Sequence, residues 1–298
     1  MKIVIFGAGA IGSLFGALLS KNNDVLLLGR KSHINSIKNN GLTITGKTNL
    51  NVKINAESSF ENISFSPDLL ILTVKSFDTE AAIKQVRKII NNNTKILSIQ
   101  NGLDNIEKIS KYIKLEKIIA GITTHGAFFS KPGIVEHTGM GMTVLGSLNS
   151  TKTNFLYAVV KIFNESGIKT KESKNISVDI WNKAIINSSI NPLTSIFQCN
   201  NGYLLENPIL EILLENICKE STSIASAYGI DLSVDVLIKK TKEVVKNTSE
   251  NFSSMLQSIK KNKKTEIDSI NGKLTYIGKK YHVDTTLNDF LFHYIRSL

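Results

Sequence analysis

The chain has 298 residues, 42% hydrophobic and 20% charged, which suits an ordinary globular protein long enough for two domains with real cores. Its net charge of +11 invites a nucleic-acid reading, but the lysines are scattered, only KKNKK at 260–264 clusters, and no aromatics are interleaved there. A lysine-rich solvated surface, with no nucleic-acid or membrane partner, is therefore expected. Cys199 and Cys218 lie in apolar helical patterns and give neither a disulfide framework nor a metal spacing, which points to a reducing compartment. No uninterrupted apolar run approaches the length of about 18 residues that a membrane span needs. MKIVIFGAGAIG leads straight into a folded motif, so the expected location is cytoplasmic.

That opening stretch reads as a short β-branched strand, Ile3-Val4-Ile5-Phe6, then a glycine-rich turn, then a helix continued by Leu14, Leu18 and Leu19. Gly7, Gly9 and Gly12 fit G-x-G-x-x-G in the strand-turn-helix context that a dinucleotide site requires. Gly7 permits the tight turn, Gly9 the approach of a pyrophosphate, and Gly12 the close packing of helix on strand. The turn as a whole, with Ala8, Ala10 and Ile11, is the expected cofactor cradle. A second strand, DVLLL, is followed by Gly29, Arg30 and Lys31, where an NAD site would carry a carboxylate. Two cations there suit the extra phosphate of NADP; ordinary loop cations are the plainer alternative.

DLLILTVKS and TKILSIQNG read as buried parallel strands separated by the amphipathic DTEAAIKQVRKIINN. Their carboxyl ends carry Lys75 and Asn101-Gly102, the end of an open α/β sheet at which ligands bind. EKIIAGITTHGAFF should continue the sheet, and GIVEHTGMGMTVLGS alternates like an antiparallel hairpin that finishes it. His125 and His137 each lack a nearby carboxylate and read as structural. Near residue 170 the strand pattern stops and helical patterns run to the end, predicting an N-terminal Rossmann-type domain over 1–170 and an all-helical domain over 171–298.

In WNKAIINSSINPLT, Lys183, Asn187 and Asn191 recur at i, i+4 and i+8 and share one helix face. Asparagine costs roughly 0.5 kcal/mol or more in a helix interior, so this face needs a partner. Ile186, Ile190, Leu193 and Phe197 have the spacing of a core-facing stripe, and Pro192 should kink the helix beside Asn191. Further on, Thr265 followed by Glu266 and Asp268 has the form of a helix start, where acids would simply complement the dipole.

GAGAIGSLFG, TVKSFDT, IQNGLDN, WNKAIINSSINPLT and SSMLQSIKKNKKTEIDSINGKL together resemble, in order and over nearly the whole chain, the blocks of the ketopantoate reductase family, the 2-dehydropantoate 2-reductases. The resemblance implies a Rossmann domain joined to an all-helical domain and NADPH-dependent reduction of the small-molecule 2-keto acid 2-dehydropantoate to (R)-pantoate, on the route to pantothenate and coenzyme A. It also implies that Lys183 is catalytic, that Asn101, Asn187, Asn191, Ser254 and Glu266 hold substrate, and that Arg30, Lys75 and Asn101 lie on the cofactor side. A homodimer is left open. Ser258 stands where the family often has an acid. A reductase of another branched 2-keto acid, or an NADPH-binding regulator without turnover, would share most of these features.

Overall fold

The structure is a computed structural model, and it describes residues 1–149 and 153–298. The chain divides into two compact units: Met1–Gln100 with Asn105–Ile176, and Asn101–Asp104 with Ser177–Leu298. The first holds strands β1 (Lys2–Phe6), β2 (Asp24–Leu28), β3 (Leu42–Gly46), β4 (Leu50–Val52), β5 (Asn55–Glu57), β6 (Leu69–Leu72), β7 (Lys95–Ser98), β8 (Ile118–Thr123), β9 (Gly126–Lys131), β10 (Ile134–Gly139), β11 (Thr143–Ser147) and β12 (Thr170–Glu172). Its helices are α1 (Ala10–Leu19), α2 (Lys31–Asn40), α3 (Thr79–Val86), α4 (Asn105–Ser110) and α5 (Asn154–Glu165).

The main sheet runs β12-β11-β8-β7-β6-β1-β2-β5 and is parallel except where β11 meets β8. β6 (LLIL) is apolar and buried at every position, and β1 is apolar after Lys2, because both faces of the sheet are covered. Ile3 and Ile5 of β1 pack with Leu14, Phe15 and Phe163 on one face, and Val4 between them packs with Leu70, Leu72, Ile83 and Ile109 on the other. Because β12 pairs with β11, the sheet unit extends past residue 170 to Ile176.

The expected hairpin over GIVEHTGMGMTVLGS does not form. β10 joins a second sheet of order β4-β3-β10-β9, whereas β11 pairs antiparallel with β8 in the main sheet. The same break divides β8 from β9 at Thr124-His125. Gly141 lies where these crossings touch, since a Cβ there would stand 2.3 Å from the His125 backbone nitrogen. Alternation is equally good for either sheet, so it cannot say which partner a strand takes.

The second unit is helical: α6 (Ile176–Ile196), α7 (Tyr203–Glu206), α8 (Pro208–Ala227), α9 (Val234–Asn247), α10 (Ser254–Ile259), α11 (Asn271–Lys280) and α12 (Thr286–Ser297). α6 continues through Pro192 to Ile196. Ile190 and Leu193 are buried with Leu210, Leu214 and Leu291, and Ile186 is partly buried against them. Phe197, expected in that stripe, is instead exposed: the helix has ended, and Gln198 turns the chain with a φ of +51°. Cys218 is buried and Cys199 half-buried, and burial pushes both thiols up. Among the described residues no helix is long and apolar enough to cross a membrane.

Candidate active site

In the sheet unit, Gly7 has a φ of +111°, and a Cβ there would stand 2.5 Å from the Val74 nitrogen. A Cβ on Gly12 would come within 2.3 Å of the Gly7 oxygen, which also accepts a hydrogen bond from Thr73 Oγ1 at 2.9 Å. Both glycines are required by the protein's own backbone. Gly9 is different, because its φ is −87° and its Cβ would meet nothing nearer than the Gly7 oxygen at 3.8 Å. The room it leaves would admit a group lying close to the backbone. No side chain caps α1 and no acid lies in its first turn, so the N–H groups of Ala10, Ile11 and Gly12 remain for an anion at the positive helix end. This turn, with buried Ala8 packed beneath Gly29, fits the pyrophosphate of a dinucleotide.

Arg30 is the cap residue of α2, and it and Lys31 are exposed. Glu57 stands opposite Leu28 in register, but its carboxylate accepts from Lys38 at 2.7 Å and Asn62 at 2.9 Å, and these bonds hold it below the usual carboxylate range. Lys75 is half-buried at the residue before a 3₁₀ turn, Ser76–Asp78. Sequence reading did not single out Gln100, whose Nε2 donates to the Val74 oxygen at 2.9 Å and to Thr79 Oγ1 at 2.7 Å, while Ser98 Oγ donates to its Oε1 at 2.9 Å. Gln100 thereby ties the loop carrying Lys75 to the end of β7. Its sequence signal is an amide just past an apolar strand, in LSIQN.

In the helical unit, Lys183 Nζ donates to Asn101 Oδ1 at 2.8 Å, and Asn101 Nδ2 donates to Glu266 Oε2 at 3.3 Å. One amide thus links the ammonium to the carboxylate. Gly102 makes the approach feasible: its φ is +100°, a Cβ would stand 2.7 Å from Ser269 Cβ, and the next amide, Leu103 N–H, donates to the Ser269 oxygen at 2.9 Å. Glu266 is buried, only 6% exposed, and makes no cap bond. The helix start expected at Thr265 is just a 3₁₀ turn, Ile267–Ser269, with Thr265 Oγ1 accepting from Ile267 N–H at 3.4 Å.

On the face of α6 that bears Lys183, Asn187 is half-buried and Asn191 buried. Among the described residues neither carboxamide makes a hydrogen bond to the protein, whereas the nearby hydroxyls bond inward, Ser189 to the Ile185 oxygen and Ser195 to the Asn191 oxygen. Ser254 is the exposed first residue of α10, because the cap is Ser253, whose Oγ accepts from Leu256 N–H at 3.2 Å and from Thr194 Oγ1 of α6 at 2.8 Å. Ser258, which departs from the acid often found there in the family that the sequence resembles, donates to the Ser254 oxygen at 3.0 Å. The helical unit therefore brings together a cation, a carboxylate and uncommitted amide donors, the set that a keto acid with a further hydroxyl requires.

The histidines serve the sheet unit. His125 Nδ1 and His137 Nε2 are 3.1 Å apart, and His137 Nδ1 meets Thr48 Oγ1 at 2.8 Å. His33 Nδ1 accepts from Gly133 N–H at 2.9 Å, so its Nε2 carries the proton that faces Ser13 Oγ at 2.9 Å. Burial pushes His33 and His125 down to about 4, and His137 down as well.

Comparison with known proteins joins the two units. The family model described as "Ketopantoate reductase PanE/ApbA" matches residues 3–150, and its C-terminal counterpart matches 175–298. The 2-dehydropantoate 2-reductase of Pyrococcus abyssi is 40% identical over 100% of this chain and 97% of its own length. Among solved structures, D-mandelate dehydrogenase with NADH and anilino(oxo)acetate superposes with a TM-score of 0.95 at 30% identity, covering 100% of this chain and 98% of that one. A PanE/ApbA family ketopantoate reductase from Ralstonia eutropha gives 0.91 at 27% identity, covering 99% and 97%. With both of its units matched and relatives aligned end to end, the chain belongs to the ketopantoate reductase family.

Proposed function

We propose that the protein reduces 2-dehydropantoate to (R)-pantoate with NADPH, acting in the cytoplasm on the route to pantothenate and coenzyme A. The observation that carries this reading is the chain of bonds from Lys183 through Asn101 to Glu266, with Lys183 on the helix that also bears the uncommitted amides of Asn187 and Asn191. When bound, the cofactor supplies the hydride that reaches the keto carbon. The Lys183 ammonium hydrogen-bonds the ketone oxygen, stabilises the charge growing there more in the transition state than in the ground state, and then gives it a proton. Asn101 holds that ammonium in place through its Oδ1. Glu266 accepts from the substrate hydroxyl, and Asn187, Asn191 and Ser254 donate to the substrate carboxylate. Arg30 and Lys31 favour NADPH over NADH, since Glu57 is already occupied by Lys38 and Asn62.

The test is nicotinamide absorbance with each cofactor against a panel of 2-keto acids. The highest kcat/KM is expected for 2-dehydropantoate with NADPH; a higher value for another keto acid overturns the substrate, and no turnover with any would leave a cofactor-binding regulator. A second reading, a reductase of another branched 2-keto acid that uses NADH, is favoured by the likeness to D-mandelate dehydrogenase bound to NADH. The same panel separates the two.

A further inference from the structure

Pro192 has no N–H, so the Ser188 carbonyl loses the donor that the fourth residue onward ordinarily gives it. Ser188 is fully buried, and water cannot fill the place. The donor comes from another helix: Asn271 Nδ2, at the start of α11, reaches the Ser188 oxygen at 3.1 Å. The same Nδ2 donates its second proton to Asn288 Oδ1 on α12 at 3.0 Å. Asn288 Nδ2 in turn donates to Glu220 Oε1 at 2.8 Å and to Ser221 Oγ at 3.0 Å, both on α8. Ser221 Oγ lies 3.1 Å from Ser188 Oγ, which closes a buried ring through α6, α11, α12 and α8.

Ser188 and Pro192 directly follow Asn187 and Asn191, so the helical hydrogen bond that Pro192 abolishes is the one that would hold those two carboxamides one turn apart. We infer that Asn271 is a positioning residue: its side-chain amide replaces the missing backbone amide of Pro192 and so sets the spacing of the two asparagines toward the keto acid. This inference rests on the substrate role proposed above. It also accounts for the residue type, because the position must give two hydrogen bonds to two acceptors, which neither Ser nor Asp can do there.

The test is a double-mutant cycle of N271A and P192A, read by keto-acid kinetics and by denaturant unfolding. N271A should raise KM for the keto acid about tenfold or more, with KM for NADPH within about twofold, whereas a merely structural loss would lower apparent kcat at unchanged KM. In the P192A background, where a backbone amide is restored, N271A should raise that KM by less than about threefold and cost less stability. Equal effects of N271A in both backgrounds, or an unchanged keto-acid KM, overturn the assignment. If N271A alone does not fold, the double variant must fold and turn over; failure to do so also overturns it. A wild type that ignores 2-dehydropantoate breaks only the substrate reading, since coupling in unfolding is measured without substrate.

Discussion

On the function proposed above, the glycine turn of the sheet unit and the asparagine face of α6 meet their ligands by opposite means. At the turn the backbone supplies the donors, and its shape is enforced by contacts that leave no room for a Cβ at Gly7 or Gly12. On α6 the backbone is ordinary helix apart from Pro192, and the donors of Asn187 and Asn191 are side chains that pay a helix cost and, among the described residues, make no bond to the protein. A backbone site tolerates changes of side chain and fails when a Cβ is added; a side-chain site fails when a single functional group is removed. The two should therefore separate cleanly under mutation.

The largest effect is expected at Lys183. Lys183→Ala removes the ammonium held 2.8 Å from Asn101 Oδ1, and kcat should fall by about 10²–10⁴, or roughly 3–5 kcal/mol. NADPH affinity, which the proposed function assigns to the glycine turn, should stay within about twofold by fluorescence titration. Arginine should rescue poorly, because it does not give up a proton at working pH. Wild-type kcat in a folded Lys183→Ala protein would remove the basis for treating α6 as the reacting face.

The backbone half of the comparison was legible because its chemistry is local. Strand, glycine turn and helix lie within residues 2–19, and each glycine's spacing carries its own steric reason. The Lys183, Asn187 and Asn191 face was equally legible as a periodicity, and as a misfit for a solvated helix. What joins them to other residues was not. Asn101 and Glu266 are 165 residues apart, and their contact depends on the left-handed turn at Gly102 against Ser269. Asn101 follows a sheet strand in sequence, yet it packs with the helices. His125 and His137 looked solitary for the same reason, because β9 and β10 bring them together only once paired.

Acid provides the next contrast, because the buried histidines all lie in the sheet unit, whereas His282 and His293 of the helical unit are exposed. His33 and His125 have folded pKa values of about 4 against 6.5 for the free side chain. Between those values the unfolded chain binds more protons, so their contribution to stability falls as pH drops from about 6.5 to about 4 and levels off below, by at most about 3 kcal/mol per group. Protonating His33 would also set an N–H on Nδ1 against Gly133 N–H. Hydrogen exchange at pH 4.5 and 7 should show protection lost in β9, β10 and α2 while α8 and α9 retain theirs. Equal loss in both units would show that other groups govern acid sensitivity.

Within the turn, Gly9 and Gly12 divide structure from ligand. Gly12→Ala must displace the Gly7 oxygen, 2.3 Å from the new Cβ, and should destabilise the protein by about 1–3 kcal/mol. Gly9→Ala adds a methyl into open space at an ordinary φ of −87°, so unfolding should be unchanged or slightly improved. Its NADPH affinity should fall about tenfold, roughly 1.4 kcal/mol, since the methyl occupies the room left for the pyrophosphate. Full NADPH affinity in Gly9→Ala would mean that the gap at Gly9 serves nothing.

The smallest effect concerns a place where the proposed cofactor site relies on a side chain. Arg30 is exposed, so a phosphate bound to it stays partly hydrated, and the gain belongs at the low end for a charge-assisted bond, about 1 kcal/mol. Arg30→Ala should weaken NADPH about fivefold while NADH, which lacks that phosphate, is nearly unaffected, and the difference should shrink as salt is added. Lys31, exposed beside it, should supply part of the remaining preference, so that removing both cations brings the two cofactors close to parity. The opposite result, equal loss for both cofactors or a wild type that prefers NADH, would align this chain with the NADH-bound D-mandelate dehydrogenase it superposes on. It would also leave Arg30 and Lys31 as ordinary surface cations of a chain whose formal charge is +11.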